Sequence, residues 1–128
     1  MANSESNQLS RRERQIMDAL YHLNEASVAD VRKNMPDPPG YTAVRTMLKI
    51  LEEKGFVVHR EDGRRYVYKP KASAKRVGKS ALKRVVDVFF GGSLENALAA
   101  HLSDSKATLS PQEVERLRIL IEEAQREE

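Results

Sequence analysis

Thr42, Arg45, Thr46 and Lys49 follow one another at i, i+3, i+4 and i+7, the spacing that gathers side chains on one face of an α-helix. All four donate hydrogen bonds and none is an acid. That chemistry suits the edges of DNA bases: an arginine spans guanine O6 and N7 with a bidentate fork, and hydroxyl and ammonium groups take neighbouring acceptors. The acids of the same segment, Glu52 and Glu53, are held back to its end. An ordinary solvated helix face mixes Glu with Lys, so this segregation of sign favours a DNA-reading face. Tyr41 opens the run, placed to meet a thymine methyl or a phosphate, or to pack against Tyr66. Arg64 and Arg65 stand just past an Asp-Gly pair and suit phosphate or minor-groove contact; the competing role is to blunt an exposed strand edge. Arg11 and Arg12 fall in the first turn of a predicted helix, where they oppose its dipole and hint at an external phosphate.

The elements that must position these residues are legible in turn. Ser10-Arg11-Arg12-Glu13 is a capping box, and Ile16, Leu20 and Leu23 form one stripe behind it, so a helix is predicted from about 10 to 23. Asn24-Glu25-Ala26 breaks the stripe and Ser27-Val28-Ala29-Asp30 restarts it, until Pro36, Pro38 and Pro39 stop the chain after Met35. Gly40 opens a third helix, Tyr41 to about Lys54, with Val44, Met47, Leu48 and Leu51 on its core face and Gly55 as its C-terminal cap. Phe56 to Arg60 and Arg64 to Tyr68 then read as two strands around Glu61-Asp62-Gly63, with Asp-Gly at the tip and Pro70 closing the second strand. Helix, short helix, helix and hairpin in this order make a winged helix-turn-helix. Its third helix enters the major groove and its wing lies on the backbone.

Three further helices follow. Leu82, Val85, Val86 and Phe89 stripe a helix of roughly 73–90 that Gly91-Gly92 ends. Ser93 caps a short helix with Leu94, Ala97, Leu98 and Leu102, and Ser110-Pro111-Gln112-Glu113 starts a last one bearing Val114, Leu117, Leu120, Ile121 and Ala124. Three modest stripes with few aromatics make a marginal core for fifty-odd residues. Homodimerisation through Leu82, Val85, Phe89, Leu94, Leu98, Leu117, Leu120 and Ile121 is the favoured solution, the alternative being that the stripes fold back on the N-terminal domain. The expected fold class is mostly α with a small β-wing. Its parts are a polar, disordered segment 1–8, a winged-helix domain 9–71 and a three-helix dimerisation region 72–128.

Net charge conceals this organisation. The 128 residues sum to only +3, yet residues 1–90 carry 18 Lys and Arg against 11 Asp and Glu, a balance of +7. Residues 91–128 carry 4 against 8, a balance of −4. One end is thereby suited to polyanion and the other is not. Apolar residues make up 40% and charged ones 32%, and no apolar run approaches the ~18 residues of a membrane span. A secretory signal is not expected at the N-terminus, and a cytoplasmic location is the default. Zero Cys removes disulfides, thiolate metal sites and Cys nucleophiles. His22, His59 and His101 fall on different predicted elements and read as incidental histidines, so no metal is expected. Gly91-Gly92 lacks the following Lys-Ser/Thr of a phosphate loop. Ser10, Ser27, Ser93 and Ser110 are explained as helix caps. No catalytic set and no cofactor site are expected.

The stretch from Tyr41 through Arg45, Thr46 and Leu48 to Gly55 resembles the recognition helix of the BlaI/MecI penicillinase-repressor family. So do Leu9 to Leu20, the Phe89-Phe90-Gly91-Gly92-Ser93-Leu94 link and the Leu109-Ser110-Pro111-Gln112-Glu113-Val114 helix start. The likeness covers about residues 9–124. It implies a dimeric transcriptional repressor on a dyad operator of inverted TACA/TGTA-like half-sites, with Thr42, Ala43, Arg45 and Thr46 reading bases and Arg65 on the wing. Ala43 stands where many members carry Thr, so the half-site read here can differ. The likeness also implies a sensor-controlled protease as a partner, cutting at an Asn-Phe pair in the penultimate helix. The corresponding stretch reads Leu98-Ala99-Ala100-His101-Leu102, and the chain has no Asn-Phe pair, which argues against that induction route. The copper-responsive CopY type ends in a Cys-x-Cys cluster, which zero Cys excludes.

The function expected is therefore sequence-specific repression by a homodimer that occludes a promoter at a palindromic operator. Two rivals remain: a winged helix docking an acidic protein partner, and a ligand-responsive regulator of the MarR type.

Overall fold

The first two helices each begin where a serine side chain accepts from a free amide. The computed structural model describes residues 9–104, 106 and 108–126; segment 1–8, expected to be disordered, lies outside the described residues. Helix α1 (Arg11–Leu23) starts from the full capping box: Glu13 N–H donates to Ser10 Oγ at 3.1 Å, and Ser10 N–H donates back to Glu13 Oε1 at 2.9 Å. It ends at Asn24, whose φ of 70° is a conformation that asparagine tolerates better than most residues. The short α2 (Val28–Lys33) is capped by Ser27, whose Oγ accepts from Asp30 N–H. Two arginines then hold the proline-rich turn: Arg12 donates to the Pro36 carbonyl at 3.0 Å and Arg32 to that of Pro39 at 2.7 Å.

Helix α3 (Tyr41–Glu53) starts at Gly40 and closes with a Schellman motif. Phe56 N–H donates to Leu51 O and Gly55 N–H to Glu52 O, with Gly55 at φ +88°, where a glycine has no Cβ to clash. Strands β2 (Val57–Asp62) and β3 (Arg65–Pro70) follow. They pair antiparallel from Asp62↔Arg65 down to Val57↔Pro70.

The structure departs from the sequence reading at two points in the sheet. The hairpin loop is Gly63-Arg64 rather than Asp62-Gly63, because Gly63, at φ +67°, takes the first central position of the two-residue turn and Asp62 stays in the strand. A third strand, β1 (Ala26–Ser27), pairs with Val67 and Tyr68 and makes β3 the central strand of the order β1-β3-β2. Two residues are too few to show an alternating pattern.

One core joins these elements: Ile16, Met17, Ala19 and Leu20 of α1, Val28 and Val31 of α2, Val44, Leu48 and Leu51 of α3, with Ala26, Met35, Val57 and Tyr68. The predicted stripes of α1 and α3 are its inner faces, Leu23 and Met47 packing at its margin.

Beyond the hairpin run α4 (Ala74–Phe89), α5 (Leu94–Leu102) and α6 (Pro111–Arg126). Ser93 Oγ accepts from Asn96 N–H, and Ser110 Oγ from Glu113 N–H ahead of Pro111 at the first helical position. Gly91 and Gly92, at φ +58° and +81°, end α4. The chain separates into two compact units, one running to Lys83 and the other from Arg84 onward, so the break falls inside α4. No helix among the described residues is long and apolar enough to cross a membrane.

Candidate nucleic-acid interface

Burial of Val44, Leu48 and Leu51 turns the opposite side of α3 outward. Thr42, Ala43, Arg45, Thr46 and Lys49 are all exposed there, and the first turn carries no acid. The predicted base-reading residues therefore share one exposed helix. Gly40 supplies no side-chain cap, which leaves the first amides of α3 pointing outward beside Tyr41, an arrangement that favours anions. Tyr41 is half exposed.

Arg64 lies in the wing tip and Arg65 opens β3, both exposed; Arg65 is 3.4 Å from Asp62 across the turn. A surface pair of that length holds its arginine weakly and leaves it able to meet a phosphate. Arg11 is exposed on the first turn of α1. Arg12, expected on the DNA backbone, has an internal task as well: besides Pro36 it donates to Gln15 Oε1 at 3.1 Å, bracing the turn that leads into α3.

The far end of α3 is clamped to α1. Lys54 Nζ lies 3.1 and 3.3 Å from the two Glu13 carboxylate oxygens, and Glu13 is only 7% exposed. Burial alone would raise the Glu13 carboxyl, but the Ser10 N–H, the Lys54 ammonium and the Ser10 hydroxyl together hold it below the ordinary carboxylate range. On the outer side of the sheet, Arg60 and Glu25 pair at 2.8 Å, each strengthening the other's charge.

A cluster that the sequence reading left as incidental joins α3 to the wing. His59 Nδ1 lies 2.6 and 2.7 Å from the two oxygens of Glu52, and its ring stacks on Tyr66 with centroids 4.3 Å apart and an interplanar angle of 21°. Tyr66 meets Tyr68 edge-on at 6.4 Å, so the anticipated partner of Tyr66 is His59 rather than Tyr41. Burial pushes the Tyr68 phenol up, and the charge of Glu52 adds to this, while Arg45 pulls it back. Arg45, Glu52 and Tyr41 of α3 thus all lie within electrostatic reach of the wing's buried tyrosine. The only sequence signal for this seam was the placing of His59, Tyr66 and Tyr68 on facing strands.

The predicted dimerisation residues are uncovered in the single chain. Leu82, Val85, Phe89, Leu94, Leu98, Leu120 and Ile121 are exposed and Leu117 is half-buried, and no side chain of α4, α5 or α6 is buried. No group of three or more potential metal ligands occurs among the described residues.

Comparison with known proteins follows the same lines. The family model described as penicillinase repressor matches residues 9–123. No curated protein sequence matches the chain significantly. Among solved structures, a mutant of MepR from a multidrug-resistant S. aureus clinical isolate aligns with a TM-score of 0.56 at 16% identity, over 98% of this chain and 85% of that one. A mutant MarR from E. coli complexed with operator DNA aligns at 0.51 and 13% identity, over 94% and 78%. MepR, a transcription regulator of the S. aureus multidrug efflux pump MepA, aligns at 0.50 and 17%, over 98% and 86%. At these identities the likeness is one of fold, the winged-helix regulator fold.

Proposed function

The chain belongs to the penicillinase repressor family, and we propose that it acts as a homodimeric repressor that occludes promoters by binding a palindromic operator. The observation that carries this reading is the exposed face of α3, where Thr42, Arg45, Thr46 and Lys49 offer donors without a single acid in the first turn. In this reading residues 9–71 form the DNA-binding domain, with Thr42, Ala43, Arg45, Thr46 and Lys49 on base edges. Arg11, Arg12, Tyr41, Arg64 and Arg65 serve the backbone. Residues 72–128 form the dimerisation region. Support for the dimer comes from the apolar side chains that the single chain leaves in water, Phe89 at 68%, Leu94 at 63% and Leu120 at 61% exposure among them. So much uncovered apolar surface marks an interaction face, and a second copy offers an equally apolar one. Two recognition helices related by a dyad then meet successive major grooves about one helical turn apart. The proposal carries with it a cytoplasmic location and no cofactor. A sensor-controlled protease stays outside it, since the Asn-Phe pair is missing.

The deciding experiment is to let the chain select duplexes from a random-sequence library and to titrate the enriched duplex at several salt concentrations. An inverted repeat should emerge, with log K falling against log salt by about 0.9 per phosphate neutralised. Failure to enrich any duplex, or binding indifferent to salt, refutes the reading.

A further inference from the structure

Glu52 is an acid in the last turn of a DNA-facing helix, where it opposes the helix dipole and repels phosphate. Its surroundings supply a reason for its presence. It sits on α3, whereas His59 is the third residue of β2, and the two side chains meet at 2.6–2.7 Å. His59 pairs with Tyr68 across the strands, and Tyr66 is its diagonal neighbour. The ring stacks on Tyr66 and tilts against Tyr68 at 5.6 Å, and Tyr68 is itself part of the core. The bridge therefore runs from the helix, through the imidazole, to an aromatic pair anchored in the domain.

A small movement at this point matters because the wing is a lever. Six strand residues span about 20 Å, so a swing of about 10° at the base moves the tip by about 3.5 Å, more than the length of a hydrogen bond. The backbone link from α3 to β2 is only Lys54-Gly55-Phe56, and the Glu52–His59 bridge adds a side-chain tie between helix and wing beside it.

We propose that Glu52 and His59 are positioning residues, whose bridge sets the wing's angle to α3 so that Arg64 and Arg65 reach the backbone while Arg45 sits on base edges. The proposal rests on the DNA-binding reading above. It adds the device that couples the two contact elements, and neither residue of the bridge needs to touch DNA.

A double-mutant cycle on a duplex selected by the wild-type chain tests it. Replacing Arg64 and Arg65 together by alanine should weaken binding about tenfold, as should His59→Ala, and the three changes combined should cost little more than either set. His59→Asn, whose side-chain N–H stands where the imidazole Nδ1–H was, should keep most of the affinity. Glu52→Ala is the second handle. On charge alone it would tighten binding to a polyanion, whereas loss of the bridge weakens it. Costs that multiply, an Asn variant no better than Ala, or a Glu52→Ala chain that binds more tightly would each overturn the proposal. So would variants that shift only the unfolding midpoint. If the wild-type chain selects no duplex, the function itself fails first, so the two failures are distinguishable.

Discussion

Arg45 shows how much one side chain is asked to do. It leaves α3 on the exposed side, faces outward between two threonines, and lies within reach of the wing's Tyr68. A bidentate contact to a base is worth about 1–3 kcal/mol of discrimination. Arg45→Ala should therefore weaken binding to the selected duplex by that amount and relax preference at one base pair per half-site; uniform weakening across all sequences would instead make it a phosphate contact. Glu13 is the structural counterpart. Its carboxyl is held lower in the folded chain than the 4.5 of an unperturbed glutamate, so the folded state binds its proton less tightly than the unfolded one. The stability it contributes is complete above the unfolded value and is lost as pH falls through the lowered folded value. Glu13→Gln should thus cost on the order of 1–3 kcal/mol near neutral pH, and urea unfolding followed downward from pH 6 should show a shallower acid limb than wild type.

At the scale of elements, the helices announce themselves locally. Ser10, Ser27, Ser93 and Ser110 cap helices in the structure as their spacing predicts, because a cap is a contact between residues three apart. Gly55 belongs to the same class: it ends α3 at φ +88°. Gly55→Ala should destabilise the chain by about 1–2 kcal/mol, readable as a lower urea midpoint with an unchanged slope. The sheet is less legible. The hairpin was visible from its two apolar-aromatic runs, but the exact loop was set by which residue could take positive φ at the first turn position, and Gly63 outcompeted the Asp-Gly pattern. That shift pairs His59 with Tyr68, whereas a tip at Asp62-Gly63 would have set it opposite Tyr66. β1 went unseen because its partner strand lies some forty residues later and its two residues carry no period. The Glu52–His59 bridge joins a helix to a strand only seven residues further on, and neither the helical nor the strand period records such a contact.

For the whole molecule, the open question of assembly reduces to what covers the apolar side chains of the last three helices. Leu120 and Ile121 stand 61% and 54% exposed on α6. Changing both to Asp should yield a monomer by sedimentation with much weaker duplex affinity, since two linked recognition helices bind far better than one; a wild-type chain already monomeric would refute dimerisation. Amino-acid order alone is enough for the capped helices, the core stripes of α1 and α3, the acid-free first half of the outer face of α3 and the winged-helix order of elements. All of these arise from residues within one or two turns of each other. The third strand and the use of Arg12 as a brace come from packing between segments distant in the chain. The strand register and the seam between Glu52, His59 and the wing tyrosines join nearer segments but follow from which residue takes the turn and how strand meets helix. There, one residue of slip changes every neighbour, and no local pattern records the outcome.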